Sequence, residues 1–321
     1  MDEKFARPRL FASRCLGFAA CRWNGVTIPD KFIESLKPYV DFVTNCPESE
    51  IGLGVPRDPI RIVSQNRVQH LMQPATGRDI TSQMTDFSNN LLDSLKDIDG
   101  FILKDRSPSC GISGVKVYPR MEPSSSIATD SGFFGREVLK RFSHLPVESE
   151  ARLTNFRIRE HFLARIFTIA RFRQTERRMK DLVRFHSENK LLLMAYNQKE
   201  MAAMGKVTAN HEQKSPEEVF SDYEKHLHNA FQRIARYLSN VNILMHALGY
   251  FKEKLSAAEK AFFLKILGDY RSQKIPLSVP CALLKSYVVR FNEKYLASQT
   301  FFDPYPASLV QITDSGKGRS L

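Results

Sequence analysis

The chain of 321 residues is too long for one small module and of ordinary length for two domains, each able to bury a core of its own. With 42% hydrophobic residues, 26% charged residues and 23 Phe it is neither wholly disordered nor fibrous. No apolar stretch approaches the roughly 18 residues that cross a bilayer. The start Met1-Asp2-Glu3-Lys4 is charged and Arg14 interrupts the nearest apolar run, so a cytoplasmic protein without a signal peptide is expected. The net charge is +12, and it is uneven: residues 1–150 hold 19 Lys or Arg against 19 Asp or Glu, residues 151–321 hold 28 against 16. Such a field gathers polyanions, either nucleic acid or an anionic membrane surface. No lipidation signal accompanies it, so no membrane partner is expected.

In chain order, Leu10-Phe11-Ala12 reads as a buried strand, Asp30 to Val40 as a helix, and Phe42-Val43-Thr44 and Pro59 to Val63 as strands. An amphipathic stretch from Asp79 to Lys96, with Leu91, Leu92 and Leu95 on one face, leads into the strand Gly100-Phe101-Ile102-Leu103. This alternation predicts an α/β, Rossmann-like domain with a mostly parallel sheet over residues 1–147. From about Glu148 the pattern changes to long stretches of helical period. Ser215-Pro216-Glu217-Glu218 and Ser256-Ala257-Ala258-Glu259 have the form of capping boxes. An all-α domain is expected over 148–312, interrupted at Pro276 and Pro280 and ending near Asp303-Pro304-Tyr305-Pro306. A Gly-, Ser- and Lys-containing tail, 313–321, is expected to be disordered.

Five cysteines, an odd number at wide spacing, suit reduced thiols or metal ligands better than disulfides. Cys15, Cys46 and Cys110 each follow the C-terminal end of an expected strand, the edge where open α/β sheets bind ligands. Without any Cys-x-x-Cys spacing they match no zinc ribbon or finger. Two readings are open: small buried hydrophobes at the edge of a core, or a three-thiolate iron–sulfur site with one iron left without a protein ligand. The neighbours favour the second. Cys46-Pro47-Glu48 sets a carboxylate two residues from a thiol, and Ser107-Pro108-Ser109-Cys110-Gly111 sets two hydroxyls beside another in a stiff turn.

Ser13-Arg14-Cys15-Leu16-Gly17, Arg22-Trp23-Asn24-Gly25, Cys46-Pro47-Glu48, Gly52-Leu53-Gly54-Val55-Pro56-Arg57, and Leu103-Lys104 through Ser107-Pro108-Ser109-Cys110-Gly111 come in the order of the TudS-type desulfidase domain. Residues 8–145 resemble that family. The resemblance implies a [4Fe-4S] cluster on Cys15, Cys46 and Cys110, a thiolated pyrimidine base as substrate, Glu48 as acid/base and Ser107 as an assisting hydroxyl. Iron polarises the C=S bond, water attacks the ring carbon, and sulfur leaves toward the iron. Cys21 is read as a packed thiol and Cys281 is given no role. Where the common family pattern has tyrosine and aspartate, this chain has Trp23 and Asn24. No carboxylate role therefore carries over to position 24, and Trp23 is left either to stack on a base or to pack in a core.

Between Arg152 and Arg184 lie ten Lys or Arg against three acids, interleaved with Phe156, Phe162, Phe167 and Phe172. On a helix this predicts an apolar face toward a core and an arginine face toward solvent. Arg171, Arg173, Arg177 and Arg178 are the expected contacts to an RNA backbone. A solvated basic face without a partner is the alternative. His186-Ser187 through Lys190-Leu191-Leu192-Leu193-Met194-Ala195, Asn242 to Lys252, and Pro304-Tyr305-Pro306 resemble a helical domain often fused to TudS-type domains, as in the RudS-type desulfidases. That arrangement implies a hydrolytic desulfidase converting 4-thiouridine in tRNA to uridine, with the helical part presenting the tRNA. Free thiopyrimidines or their nucleosides as substrate, and a non-catalytic RNA-binding iron–sulfur protein, are the competing readings. His186 and His246 are read as histidines satisfied within a helical bundle.

Overall fold

A computed structural model of the chain describes residues 5–314. Residues 1–4 and 315–321, which include the charged N-terminus and most of the tail expected to be disordered, lie outside the described residues. In chain order, the first unit holds β1 (Arg9–Ser13), α1 (Lys31–Leu36), β2 (Asp41–Asn45), β3 (Arg61–Gln65), β4 (Val68–Gln73), β5 (Arg78–Asp79), α2 (Thr81–Ser94), β6 (Gly100–Leu103), β7 (Val115–Tyr118), β8 (Ala128–Asp130), α3 (Phe133–Arg141), β9 (Val147–Ser149) and α4 (Phe156–Arg173). The second holds α5 (Met179–Tyr196), α6 (Gln198–Ala209), α7 (Pro216–Ala230), α8 (Tyr237–Gly249), α9 (Ala257–Arg271), α10 (Ser278–Phe291) and α11 (Lys294–Ala297). Contacts divide the chain at 173/174, and among the described residues 308–314 return to the first unit.

Strands β1 and β6 are short runs of apolar residues because both faces of a parallel sheet are covered. Leu10, Phe11, Ala12, Phe101, Ile102 and Leu103 are fully buried. The four strands are all parallel in the order β2-β1-β6-β9, with Leu10 opposite Phe42 and Gly100, and Phe101 opposite Val147. The chain runs from β1 to β2 on one side and later adds β6 on the other, which makes the C-terminal end of β1 a topological switch point, where open sheets form a crevice. A second, mixed sheet, in the order β5-β4-β3-β7-β8, departs from the single, mostly parallel sheet expected; the strand expected at Pro59 to Val63 lies in it as β3, whereas β4, β5, β7 and β8 do not show in the sequence. Its strands are short and half-exposed, and several carry Gln, Lys or Arg, so they lack the apolar runs by which β1 and β6 declare themselves. Phe11 packs on Phe101 and Phe134 with ring centroids 5.7 and 5.4 Å apart, in a core that reaches Cys110.

Helix α4 is a helix as expected, but it has no arginine face toward solvent. Eleven of its 18 residues are buried, Arg159 and Phe162, Phe167 and Phe172 among them. A helix covered nearly all round cannot keep its arginines free, and they become struts. Arg159 donates to the carbonyls of Leu153 (2.8 Å), Gln311 (2.6 Å) and Thr313 (2.6 Å), which ties the returning segment into the first unit. Arg165 donates to the carbonyl of His144 at 3.1 Å. The second unit is all-α among its described residues, and both expected capping boxes form, at Ser215 with Glu218 and at Ser256 with Glu259.

Candidate active site

Parallel register delivers the ends of β1, β2 and β6 to one edge, so Cys15, Cys46 and the loop from Lys104 to Cys110 arrive together. Ser13, buried at the end of β1, accepts from the Lys104 amide at 3.0 Å and locks β1 to the start of that loop. Within the loop the Ser107 hydroxyl accepts from the amides of Ser109 (3.3 Å) and Cys110 (3.1 Å), and Gly111 N–H donates to the Ser107 carbonyl at 2.8 Å. The start of α3 closes it from behind: the amides of Gly132, Phe133 and Gly135 donate to the carbonyls of Gly111, Pro108 and Ser109 at 2.7, 3.0 and 3.0 Å. A Cβ on Gly135 would stand 2.4 Å from the Gly111 oxygen and 2.7 Å from that of Cys110, so the approach requires glycine.

The result is a cavity of about 220 Å³ lined by Cys15, Cys21, Cys46 and Cys110 together with Glu48, Ser107 and Ser109. Burial pushes the Cys15 thiol up to about 12, with neighbouring thiols adding to it, and pushes Cys110 higher still. Cys21, foreseen only as a packed thiol, is buried and also faces this cavity. Its carbonyl accepts from the Cys46 thiol at 3.6 Å. Burial and Cys46 raise it to about 12. Cys281 is buried on α10 in the other unit. Four thiols around one volume, with Lys104 and Arg57 beside them, are a donor set that fits an iron–sulfur cluster once the thiols give up their protons. Among the described residues no three His, Cys, Asp or Glu side chains meet closely enough to hold a single ion.

Glu48 has both carboxylate oxygens occupied. Arg57, whose side chain is 3% exposed, donates from Nε (2.9 Å) and Nη2 (2.7 Å) to Oε2. Ser109 Oγ donates to Oε1 at 2.5 Å, Ser107 Oγ reaches the same oxygen at 3.4 Å, and the two hydroxyls stand 2.9 Å apart. Arg57 also donates to the carbonyls of Cys21 and Gly54, each at 3.0 Å, and lies 3.9 Å from the Cys46 sulfur. Ser109 and Arg57 were given no role from the sequence. Ser109 lies inside the Ser-Pro-Ser-Cys run and Arg57 at the end of the glycine-proline segment, so the sequence hides only their pairing with Glu48. Lys104 is held by Glu150 and by the Asp105 carbonyl.

None of the four arginines expected at an RNA backbone is among the residues lining this cavity, and each already has an intramolecular partner. Arg173 forks onto Asp99, which is buried, with bonds of 3.0 and 2.8 Å. Arg171, on α4, is half-buried and engaged within the chain. Arg177 lies over the Phe220 ring at 4.7 Å, and Arg178 pairs with Glu176 (2.7 Å) and Asp181 (2.5 Å). His186 bonds Tyr223 Oη at 3.1 Å, and burial lowers its pKa, so it is a neutral bundle histidine. His246 is exposed and edges onto Tyr250 at 5.8 Å. Among the described residues no helix is long and apolar enough to cross a membrane.

The 2-thiouracil desulfurase family matches residues 10–150, and a domain family of unknown function, DUF1722, matches residues 190–306. The chain is 32% identical over 109 residues to the uncharacterized protein YbbK of Bacillus subtilis (strain 168), covering 32% of this chain and 72% of that one. It is 25% identical over 136 residues to the uncharacterized protein YbgA of Escherichia coli (strain K12), covering 42% of this chain and 80% of that one. Among solved structures, a [4Fe-4S]-dependent thiouracil desulfidase, TudS, is 27% identical over 46% of this chain and 93% of its own, with a TM-score of 0.37. The chain belongs to the 2-thiouracil desulfurase family, with a DUF1722 domain following the desulfurase domain.

Proposed function

We propose that the protein is a hydrolytic desulfidase that binds a [4Fe-4S] cluster through Cys15, Cys46 and Cys110 and converts 4-thiouridine in tRNA to uridine, with water replacing sulfur and sulfide released. The observation that carries this is the meeting of buried thiols and a doubly clamped carboxylate in one cavity at the sheet's switch point. Cys15, Cys46 and Cys110 would hold the cluster, which would supply a thiophilic Lewis acid for the departing sulfur. Glu48 takes a proton from the attacking water, and Arg57 fixes its orientation through Oε2. Ser109 and Ser107, joined Oγ to Oγ, carry a proton between Glu48 and the substrate's ring heteroatom. Residues 1–147 would supply every one of these groups, and 148–312 would present the tRNA.

Free thiopyrimidines remain a second reading, favoured by the placement of charge. Residues 174–307 carry 20 Lys or Arg against 14 Asp or Glu, so only half of the chain's excess lies in the second unit. The test is anaerobic incubation of iron-reconstituted protein with tRNA containing 4-thiouridine and, in parallel, with free 4-thiouracil, following thiobase absorbance and sulfide, with Cys110→Ala as control. Cluster-dependent loss from tRNA at the higher kcat/KM supports the proposal. Loss from the free base alone moves the substrate to the second reading, and no loss from protein carrying its cluster refutes the desulfidase.

A further inference from the structure

The chain's one tryptophan is not in a core. Trp23 is 42% exposed and lies at the cavity lining, while Phe11, Phe101 and Phe134 are fully buried. An exposed indole forfeits the burial that aromatic side chains gain inside a protein, and beside a cavity it marks a binding surface. Its backbone is held firmly. Gly25, at φ +72°, closes a turn in which Gly25 N–H donates to the Arg22 carbonyl at 2.9 Å, and the Trp23 carbonyl accepts from the Arg57 amide at 2.8 Å. The residue that clamps Glu48 therefore also holds the Trp23 backbone. Arg22 stands over the ring at 5.9 Å.

A second cation belongs to the same lining. Arg106 has φ +54°, a left-handed conformation that costs a bulky residue energy and is found where the fold over-determines it. The flanking bonds do so here: Asp105 N–H donates to Glu150 at 2.8 Å, and Ser107 N–H to the Lys104 carbonyl at 3.5 Å. The Arg106 side chain is 79% exposed, and its ion-pair contact is Asp105 at 3.5 Å. The cavity, about 220 Å³, is smaller than the roughly 300–1,000 Å³ of pockets that enclose a drug-sized ligand. It is too small to enclose a whole nucleotide.

We propose that Trp23, Arg22 and Arg106 form a nucleotide-reading rim, in which the indole stacks the base adjoining the one in the cavity and Arg106 takes the phosphodiester between them. This rests on the desulfidase reading and deepens it: the substrate is a base within a strand, and the catalytic unit itself recognises the strand. Base stacking on an aromatic side chain is sequence-tolerant, and a guanidinium fork fits a phosphate, so the rim selects for a strand rather than for a sequence.

The single tryptophan makes the rim its own reporter. Indole emission of iron-reconstituted, full-length protein is titrated with the diribonucleotide UpU, with uridine monophosphate and with uracil. UpU is expected to quench saturably and more tightly than uridine monophosphate, and uracil is expected to leave the emission unchanged. By calorimetry, Trp23→Leu should weaken UpU roughly tenfold or more, Trp23→Phe should recover most of the loss, and Arg106→Ala should flatten the salt dependence. Equal quenching by uracil and UpU, no quenching at all, or a Trp23→Leu variant that binds UpU as the parent does would overturn the rim. Sulfide release is scored separately: quenching without sulfide release from any thiolated substrate sinks the desulfidase reading and leaves the rim, whereas sulfide release without an indole response does the reverse.

Discussion

Glu48 has no idle oxygen, and that shapes what each neighbouring substitution does. Two guanidinium bonds hold Oε2 and a 2.5 Å hydroxyl bond holds Oε1, which together fix the orientation of the carboxylate. Glu48→Gln keeps the shape and removes the base, so kcat is expected to fall about 10²–10⁴-fold with iron content unchanged. Iron lost along with activity would make Glu48 a structural prop instead. Ser109→Ala strips the closest donor from Oε1 and loosens the hold on Glu48. The kcat is expected to fall about tenfold or more, from a charge-assisted bond worth roughly 1.5–3 kcal/mol. An unchanged kcat would remove Ser109 from the proton path. At this scale the sequence showed the residue types and concealed the pairing. Ser107 and Ser109 flank one proline, and only the turn decides that Ser109 reaches Glu48 more closely while Ser107 also caps the amides of its own loop.

Between elements, the tightest fit is the start of α3 against the cysteine loop. Gly135→Ala places a methyl group 2.4 Å from a carbonyl oxygen that cannot retreat without dragging Cys110. The variant is expected to lose on the order of 1–3 kcal/mol of stability and to bind iron poorly, measured by denaturant unfolding and iron content. Normal iron binding would show that the loop has slack. A comparable joint links α4 to the sheet, where Arg173 forks onto buried Asp99. Arg173→Glu sets two carboxylates together and should cost about 3–5 kcal/mol. Its effect on tRNA turnover would then report unfolding rather than RNA binding, and an unaltered unfolding midpoint would contradict the joint. The apolar runs of β1 and β6 and the capping boxes of α7 and α9 were readable because each is a local signal. The second sheet beyond β3 and the inward arginines of α4 were not, since half-exposed strands and a helix covered on most sides depend on what is packed over them.

For the molecule as a whole, the change of sequence pattern near residue 148 and the break between compact units at 173/174 are different events. Helix α4 and the returning segment are held in the first unit by Arg159 and Arg173. A chain cut after about residue 150 is therefore expected to be unstable on its own, whereas one ending at 173 with 308–314 grafted back should melt closer to the parent. Equal melting of both would show those struts to be dispensable. Buried thiols also give the iron-free protein a pH signature. Cys15 and Cys281 lie near 12 when folded against an ordinary 9.0, because burial disfavours the thiolate. Stability is then complete below pH 9 and is lost as pH rises toward 12, since the unfolded chain ionises first. The Tm of iron-free protein should fall across that window. Iron-loaded protein should fall less, because its cluster ligands are already ionised.

From its sequence alone the chain disclosed an α/β part followed by a helical part, a parallel sheet, the strand ends that carry cysteine, and the motifs of a desulfurase. Each of these is written in local order: apolar runs, turn residues, and the spacing of chemistry within a few positions. Only tertiary structure decided which groups meet. Parallel register brings Cys15, Cys46 and Cys110 to one edge, and Cys21 with them. Arg57 crosses nine positions to clamp Glu48, and packing turns arginines that look like an RNA-binding face into struts against Asp99 and the backbone of the returning segment. The physical reason is that a charge in a sequence has a sign but no partner, and the partner is assigned by burial, which no stretch of sequence contains by itself.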